Sequence, residues 1–355
     1  MGRASKIQLN SHALVHNIRR VRAIAPQSKI IAMIKANAYG HGLTFAAKAL
    51  APETDAFGVA CIEEALEIRD SGIETQVVLL EGFFQSEELP LIAQKNMSIV
   101  LHCHSQLRAL LETPLATPID VWLKLDTGMH RLGFAGDELA EIGQCLMVCP
   151  WVSKLRLMTH FAQADELGDT TTQEQITSFE DLSRDYELEC SLANSAGILA
   201  WPNSHANWVR PGLMLYGISP FADKTGSEFG LMPAMQFDSE IIATHHYPKG
   251  AAVGYGGIDV CQRDSVIAVV AVGYGDGYPR HARSGTPVLI GGHVAPLFGR
   301  ISMDMLTVDV TDIACEVGMP VTLWGEALPV ELIAHHADTI PYELCCKITD
   351  RVRSV

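Results

Sequence analysis

The first 230 or so residues alternate short apolar runs with segments of helical periodicity, and this alternation limits the fold more than any other feature. The runs are short, rich in Val, Ile and Leu, and mostly apolar throughout, as is typical of parallel strands buried on both faces. They lie at 29–35, 57–61, 76–80, 97–101, 119–125, 155–160, 191–194 and 207–210. About eight β-then-α units in about 220 residues favour a (β/α)8 barrel of the TIM type over a doubly wound sheet.

From about residue 232 the pattern changes. Strand-like runs at 237–245, 265–272, 287–290, 305–310 and 321–323 follow one another with Gly, Pro and Asp between them, and 328–337 is the one helical interruption. Such a succession predicts antiparallel strands. We therefore expect a barrel domain at 1–231 and a mostly β domain at 232–355, packed together because no low-complexity linker separates them.

Charge and apolar content exclude several classes of protein. The 355 residues carry a formal net charge of −15, with 48% hydrophobic and 19% charged residues. An acidic surface argues against nucleic acid and anionic membranes as partners, because both require clustered Lys and Arg. No run reaches the roughly 18–20 uncharged apolar residues of a membrane helix. The N-terminus also lacks the apolar core of a signal peptide.

The cysteines and histidines point to an intracellular protein without a metal. Nine cysteines are scattered without any C-x-x-C motif, which indicates reduced thiols and a cytoplasmic location. The run His102-Cys103-His104 lacks the second half of a tetrahedral ligand set, so we expect no metal site. The G-x-G-x-G run at 273–277 is better interpreted as a turn than as a dinucleotide-binding loop.

Polar and charged side chains follow several of the predicted strands, where a barrel places its reactive groups. Lys35, His160 and Arg210 end apolar runs, Arg131 follows the turn after another, and Asn194-Ser195 follows a further one. Each alone could be a solvated boundary residue or a helix cap. Together they would line one rim with an amine, two guanidiniums, an imidazole and a small anion nest. That set suits an anionic, carbonyl-bearing cofactor and a carboxylate substrate, and a desolvated Lys35 amine could form a Schiff base.

One run of nine residues, IKANAYGHG at 34–42, resembles the cofactor-lysine signature of alanine racemases, which use pyridoxal 5′-phosphate (PLP). Further motifs of that family occur in the family order. They are KLDTGM at 124–129, THFA at 159–162, NSA at 194–196, RPG at 210–212, VGYG at 253–256, GYGDGY at 273–278, SMDM at 302–305 and YEL at 342–344. The resemblance covers the whole chain and implies a (β/α)8 barrel followed by a mostly β domain.

The resemblance implies a cofactor pocket formed by Lys35, Tyr39, His160, Asn194, Ser195, Arg210, Gly212, Leu213 and Tyr342. Lys35 would hold PLP covalently. Ser195, the two tyrosines and the backbone at 212 and 213 would cradle the phosphate. Arg210 would face the pyridine nitrogen, and because a guanidinium stays protonated the ring nitrogen would not gain a proton.

Racemisation removes a proton from one face of Cα and returns one to the other, which two acid/base groups do most simply. The resemblance implies Lys35 for one face and Tyr255 for the other. In this family the tyrosine comes from the second subunit of a head-to-tail homodimer, with His160 orienting it. The residues alone favour a bland interpretation of Tyr255, a strand aromatic beside a Gly turn.

The resemblance also implies residues around the substrate. Arg131, with the backbone at Met303, would hold the carboxylate. Lys124 matches a position that some members carbamylate, although a plain lysine or another anion is equally compatible with the sequence. Channel and gate positions would be Tyr274, Arg280, Arg300 and Asp304.

Three alternatives to an alanine racemase are open at this point, and the first belongs to the same family. A racemase for serine, lysine or a broad range of amino acids would share the cofactor site and differ in its pocket walls. A non-catalytic PLP carrier would lack the β domain and Tyr255. A fold-related decarboxylase would carry a carboxylate in place of Arg210. Two departures from the family pattern are the tail, which ends DRVRSV where many members have Arg-Val-Pro, and His130 beside Arg131.

Overall fold

A computed structural model describes residues 3–355 and contains the predicted barrel. Eight parallel strands form a closed ring in chain order. They are β2 (Lys29–Met33), β3 (Ala56–Val59), β4 (Gln76–Leu79), β5 (Met97–Leu101), β6 (Ile119–Lys124), β7 (Val152–Met158), β8 (Cys190–Ser191) and β9 (Trp208–Val209). Each lies within one of the eight apolar runs or overlaps it, and most of their residues are buried because both strand faces are covered.

One α-helix precedes the first barrel strand, and in the described residues an α-helix follows each of the strands β2 to β8. They are α1 (Ser11–Ile24), α2 (Leu43–Leu50), α3 (Ile62–Asp70), α4 (Leu89–Gln94), α5 (His104–Glu112), α6 (Leu139–Met147), α7 (Thr171–Ser183) and α8 (Ser195–Ala200). Helix α2 shows why: its buried residues Leu43, Ala46, Ala47 and Leu50 recur at helical spacing and form one apolar face.

The amino ends of the barrel strands are closed by a network around Arg156. Its guanidinium donates to Asp120 Oδ2 at 2.8 Å and to Glu189 Oε2 at 2.7 Å. It also lies 5.1 Å from the ring of Trp122 and 5.5 Å from that of Trp208, within cation–π range. Charge pairing and aromatic stacking thus fill the end of the barrel opposite to the carboxyl ends of its strands.

The β-rich part contains one eight-stranded sheet and a short hairpin. Its strands are β1 (Lys6–Leu9), β10 (Met235–Tyr247), β11 (Ala252–Val253), β12 (Asp259–Val260), β13 (Ser265–Val270), β14 (Pro287–Ile290), β15 (His293–Pro296), β16 (Leu306–Asp309), β17 (Pro320–Trp324) and β18 (Arg353–Ser354). The large sheet runs β15-β14-β17-β10-β1-β18, with β13 joining β10 to β16, and β11 pairs with β12. Helices α9 (Val330–His336) and α10 (Pro341–Cys346) complete this part.

The contacts group the described residues into two units, and the predicted domain boundary at residue 231 stays a prediction. One unit comprises 14–215, and the other combines 3–13 with 216–355. The reason is that β1 pairs antiparallel with β10 and parallel with β18, which are both far away in the sequence. The five predicted C-terminal strands correspond to β10, β13, β14, β16 and β17. The short strands β1, β11, β12, β15 and β18 are additional to those predicted.

In the described part of the chain, residues 3–355, no helix is both long and apolar enough to cross a membrane.

Replacing Arg156 with Met should lower the free energy of unfolding by about 2–3 kcal/mol, because two partly buried carboxylates lose their partner. Burial raises the pKa of Glu189, but hydrogen bonds from Arg156, Lys29 and Trp208 prevail and lower it to about 2. The stabilisation is therefore present above the ordinary carboxyl pKa, and the difference between the proteins should shrink as pH falls toward 2. Urea unfolding at several pH values measures it.

The matched control is Lys154→Met, which removes an exposed cation from the same strand. An equal loss of stability in both variants would show that the Arg156 network contributes nothing specific.

Candidate active site

The backbone after Lys35 adopts an unusual conformation. Ala36, Asn37, Ala38 and Tyr39 have φ between 52 and 54°, in the left-handed region. For residues with a Cβ this region costs roughly 1–2 kcal/mol each. Four such residues in succession, directly after a lysine at a strand end, mark a functional segment.

Side chains of the barrel unit hold this left-handed turn in place. Glu64 accepts hydrogen bonds from Ala36 N at 2.6 Å and from Ala60 N at 2.8 Å. Asn37 Oδ1 accepts from Leu43 N at 2.7 Å and so starts α2. The buried His41 donates from Nδ1 to two carbonyls of the turn, at 3.1 and 3.0 Å. Because burial lowers the pKa of His41 to about 4, the ring is neutral at pH 7.

Arg210 is buried at the end of β9, and its guanidinium is held by neutral groups. It donates to Ser191 Oγ at 2.6 Å and to the carbonyl oxygens of Thr159 at 2.5 Å and Leu192 at 3.0 Å. Within residues 3–355 no carboxylate lies in ion-pair contact with it. Burial lowers its pKa to about 10, so it still carries its charge at pH 7.

His160 takes its tautomer from Arg210. Arg210 Nη2 lies 3.4 Å from His160 Nδ1. A guanidinium has no acceptor, so Nδ1 must accept and the ring proton must lie on Nε2. Burial and the positive charges of Arg210, Lys124, Arg131 and Lys35 lower the pKa of His160. The imidazole is therefore neutral, and its Nε2–H is a hydrogen-bond donor.

Ser195, Gly212 and Tyr39 form a second cluster. Ser195 Oγ accepts from Gly212 N at 2.9 Å and from Met214 N at 3.4 Å. A Cβ at Gly212 would lie only 2.7 Å from Tyr39 Oη, so only glycine fits here without displacing the phenol. Asn194 caps α8 by accepting from Gly197 N at 2.9 Å, and Leu213 is buried directly after the glycine. Backbone amides and hydroxyls converge as a phosphate site requires.

Lys124 ends β6 inside the barrel and is only 8% exposed. Burial and the nearby cations Arg210, Arg131 and Lys35 lower its pKa to about 8, against a smaller opposing effect of Asp126. Lys35, Lys124, Arg131 and Arg210 therefore share one electrostatic environment. This excess of positive charge favours the binding of anions.

Arg131 lies on an ordered loop at the mouth of the barrel. Asp126 Oδ1 accepts from Gly128 N and His130 N, each at 3.0 Å, which fixes the start of the loop. Gln175 of α7 donates to Thr127 Oγ1 at 3.3 Å and to the carbonyl of His160 at 3.1 Å. Arg131 itself is exposed, so its guanidinium is free to meet a solute.

These barrel residues fit an anionic cofactor with a carbonyl group. A strained turn follows Lys35, the buried Arg210 has no carboxylate partner among residues 3–355, and amides and hydroxyls converge near Ser195. The donor set matches the aldehyde, ring and phosphate of PLP in kind. No group of three or more His, Cys, Asp or Glu within residues 3–355 could hold a metal ion.

The remaining predicted residues belong to the β-rich unit. Tyr255 begins a tight turn between β11 and β12 and is 70% exposed. The 273–277 run forms a turn, as predicted, and Arg280 lies 6.0 Å from the ring of Tyr274. Met303 is 52% exposed, and Asp304 receives a hydrogen bond from Arg351 at 2.5 Å. Arg300 is exposed, and Tyr342 lies half-buried in the first turn of α10.

Sequence reasoning assigned no role to several residues that support the site. Thr159 and Ser191 hold Arg210, while Glu64 and His41 hold the turn after Lys35. Thr159 and His41 lie within the quoted motifs, which was a usable signal. Glu64 and Ser191 lie outside every motif, and only the fold brings them to the site.

The lowered pKa of Lys124 gives a test by pH. A lysine with a folded pKa near 8 destabilises the protein below that pH, and stability should rise between pH 8 and the unfolded value of 10.5. Replacing Lys124 with Met should remove this rise and stabilise the protein at pH 7 by up to about 3 kcal/mol, at 1.36 kcal/mol per pH unit. Urea unfolding from pH 7 to 10.5 in CO2-free buffer measures the difference. If the free energy of unfolding changed with pH in the same way in both proteins, the structure around Lys124 would not favour its uncharged form.

Comparisons with known proteins agree over the whole chain. Residues 9–220 match the N-terminal domain of alanine racemase, and residues 234–355 match its C-terminal domain. The alanine racemase of Vibrio parahaemolyticus is 50% identical over 99% of this chain and 98% of its own length. That of Vibrio cholerae is 49% identical over 99% of this chain and 97% of its own length.

Solved structures agree equally well. The biosynthetic alanine racemase of Pseudomonas aeruginosa is 43% identical with a TM-score of 0.97, covering 99% of both chains. The alanine racemase of Bartonella henselae, solved with covalently bound pyridoxal phosphate, is 27% identical with a TM-score of 0.90, also covering 99% of both. The two family matches and these identities agree with the observed barrel and β-rich unit. The chain belongs to the alanine racemase family.

Proposed function

We propose that this protein interconverts L-alanine and D-alanine with PLP as its cofactor. The observation that carries the proposal is the pairing of buried Arg210 with neutral His160, beside Lys35 and its left-handed turn. A buried guanidinium without a carboxylate suits a cofactor ring whose nitrogen stays unprotonated. The decarboxylase alternative requires a carboxylate at that position and is disfavoured by the same observation.

Residues of the barrel would hold most of the cofactor. Lys35 would hold it covalently, Arg210 would face its ring, and Ser195 with the amides near Gly212 would hold the phosphate. Tyr39, Leu213 and Asn194 would line this site, and the family resemblance adds the hydroxyl of Tyr342 as a phosphate ligand. When bound, PLP withdraws electrons from the substrate and makes its Cα proton removable.

The protein's own residues then move the proton. Lys35 Nζ takes or returns it on one face of Cα, and the partner subunit's Tyr255 acts on the other. His160 donates from Nε2 to the phenol oxygen and so orients that tyrosine, and its proton placement follows from the contact with Arg210. The exposure of Tyr255 in a single chain supports a role in a homodimer with shared active sites.

The substrate is selected by its carboxylate and its small side chain. Arg131 and the backbone amide of Met303 bind the carboxylate. Tyr274, Arg280, Arg300 and Asp304 line the channel to the site. Lys124, with a pKa of about 8, has a neutral fraction at pH 7 that can add CO2. The resulting carbamate would pair with Arg131.

The alternative substrates are serine and lysine, which related racemases of this family would use. Sequence identity of 50% and 49% to two alanine racemases favours alanine. A hydrophobic pocket separates a methyl from a hydroxymethyl group by only about 1–3 kcal/mol, so some activity on serine is expected. We place the protein in the cytoplasm, where nine free cysteines stay reduced. There it supplies D-alanine for peptidoglycan or degrades it.

Incubation with PLP and L-alanine in D2O should yield D-alanine carrying one deuterium at Cα, because the returned proton comes from a side chain that exchanges with solvent. Chiral separation with mass detection measures this. The Tyr255→Phe protein should lose roughly 10²–10⁴-fold in racemisation because one acid/base group is gone. D-Alanine that forms without deuterium, or no D-alanine despite bound PLP, would contradict the proposal. Serine and lysine would then be assayed.

Shared active sites predict complementation between two inactive proteins. Lys35→Ala and Tyr255→Phe subunits should regain about a quarter of the normal activity when mixed, because half of the dimers are mixed and each holds one intact site. The control mixture pairs Lys35→Ala with the Lys35→Ala/Tyr255→Phe double variant and should stay inactive. Absence of recovery after verified subunit exchange would mean that each site is built from one chain.

A further inference from the structure

An ion cluster with a buried centre contacts the loops that carry Tyr274 and Met303. Its centre is Asp276, which is 0% exposed. Arg3 donates to both carboxylate oxygens, from Nε and Nη2, at 2.6 Å each. Gly273 N donates to Oδ2 at 2.9 Å, and Arg351 Nε lies 3.6 Å from Oδ1. A carboxylate this deeply buried requires such a set of donors.

The same two arginines also contact a second loop. Arg3 Nη2 donates to the carbonyl oxygen of Asp304 at 2.6 Å, and Arg351 Nη2 donates to its Oδ1 at 2.5 Å. Each arginine therefore bridges the turn at 273–276 and the segment at 302–305. We refer to Arg3, Arg351, Asp276 and Asp304 as the terminal clamp.

The two loops are pressed together at the clamp. Tyr274 N donates to the carbonyl of Ser302 at 3.1 Å, and Gly275 N donates to that of Met303 at 2.9 Å. A Cβ on Gly273 would overlap the Met303 carbonyl, and one on Gly275 would overlap the Arg351 guanidinium. The turn at 273–275 thus fixes the position of the Met303 backbone. The side chain of Met303 is largely exposed.

Sheet topology explains why the clamp draws on both ends of the chain. Strands β1 and β18 are parallel neighbours, with Lys6 opposite Arg353. Parallel pairing gives both strands the same direction, so residues just before each strand lie side by side. Arg3 precedes β1 and Arg351 precedes β18, which places both guanidiniums at the same two loops.

We propose that Arg3 and Arg351 are positioning residues for the substrate: through Asp276 and Asp304 they fix the Met303 amide that binds the carboxylate and the Tyr274 ring at the gate. This inference rests on the proposed function of Met303 and Tyr274. The arginines touch neither substrate nor cofactor. Weakening the clamp should loosen the carboxylate site and leave the hold on PLP unchanged, because the PLP contacts inferred for the barrel belong to residues 35–213 and Tyr342 is not one of the four clamp residues.

Arg351→Gln is the informative variant, because Arg3 still satisfies buried Asp276 and the side chain is 41% exposed. Loss of about one hydrogen bond's contribution should raise the KM for L-alanine and the Kd for propionate roughly three- to tenfold, with a smaller change in kcat. Propionate is alanine without its amino group, and calorimetry on the PLP-loaded protein measures its Kd without turnover. PLP content and cofactor absorbance should not change.

Two further variants make the outcome decisive. Arg351→Lys keeps the charge but loses the planar fork, so its KM and Kd should lie between those of the wild type and Arg351→Gln. Arg353→Gln removes an exposed arginine two residues away and should match the wild type. Should Arg351→Gln fail to fold, Asp304→Asn breaks the same ion pair on an exposed side chain and should raise the same constants.

Three results would overturn the inference. The first is an unchanged KM and propionate Kd in Arg351→Gln or Asp304→Asn. The second is an equal effect in Arg353→Gln. The third is no propionate binding by the wild type. A wild-type protein that binds propionate but never racemises alanine would instead contradict the proposed function, whatever the variants do.

Discussion

The site depends on the charge of Arg210, which is buried inside the barrel and has no carboxylate partner among residues 3–355. Burying an unpaired charge is costly, and the cost is reduced here by hydrogen bonds from the guanidinium to Ser191, Thr159 and Leu192. Those acceptors neutralise no charge, so the positive potential persists and acts on its neighbours. Burial lowers the pKa of His160 and Lys124, and the charge of Arg210 lowers both further. The same charge favours an anionic ligand, so one buried cation contributes to the protonation of a histidine and a lysine and to the kind of ligand that can bind.

The strained backbone after Lys35 is a second costly feature of the site. Four left-handed residues cost on the order of 4–8 kcal/mol together, which is comparable with the total stability of many domains. Glu64, Asn37 and His41 offset part of this through hydrogen bonds to the turn. A relaxed turn would carry Tyr39 away from Gly212. The strained geometry therefore places the phenol beside Gly212, where we propose that the phosphate binds.

Local patterns in the sequence were sufficient to predict the barrel and insufficient to predict strand β1. The run Met97–Leu101 is apolar apart from Ser98, and the burial of all five residues confirms the prediction of a strand covered on both faces. Strand β1 is different. Its four residues, KIQL, form a strand by pairing with β10 and β18, which lie more than 200 residues away in the sequence.

In the site, too, some features could be predicted from local sequence and others could not. Lys35, His160, Ser195 and Arg210 stood out because they end strands or open loops, and the structure groups the barrel members of the predicted set. The tautomer of His160 and the pKa of Lys124 depend on distances between elements, which no sequence pattern contains. The division of the chain adds a final constraint. Residues 14–215 lie along the chain between β1 and the other strands of the β-rich unit, so the large sheet combines residues that are far apart in the sequence. Strand β18 brings Arg351 to the loops at 273–276 and 302–305, so the contacts of those loops depend on the pairing of β18 with β1.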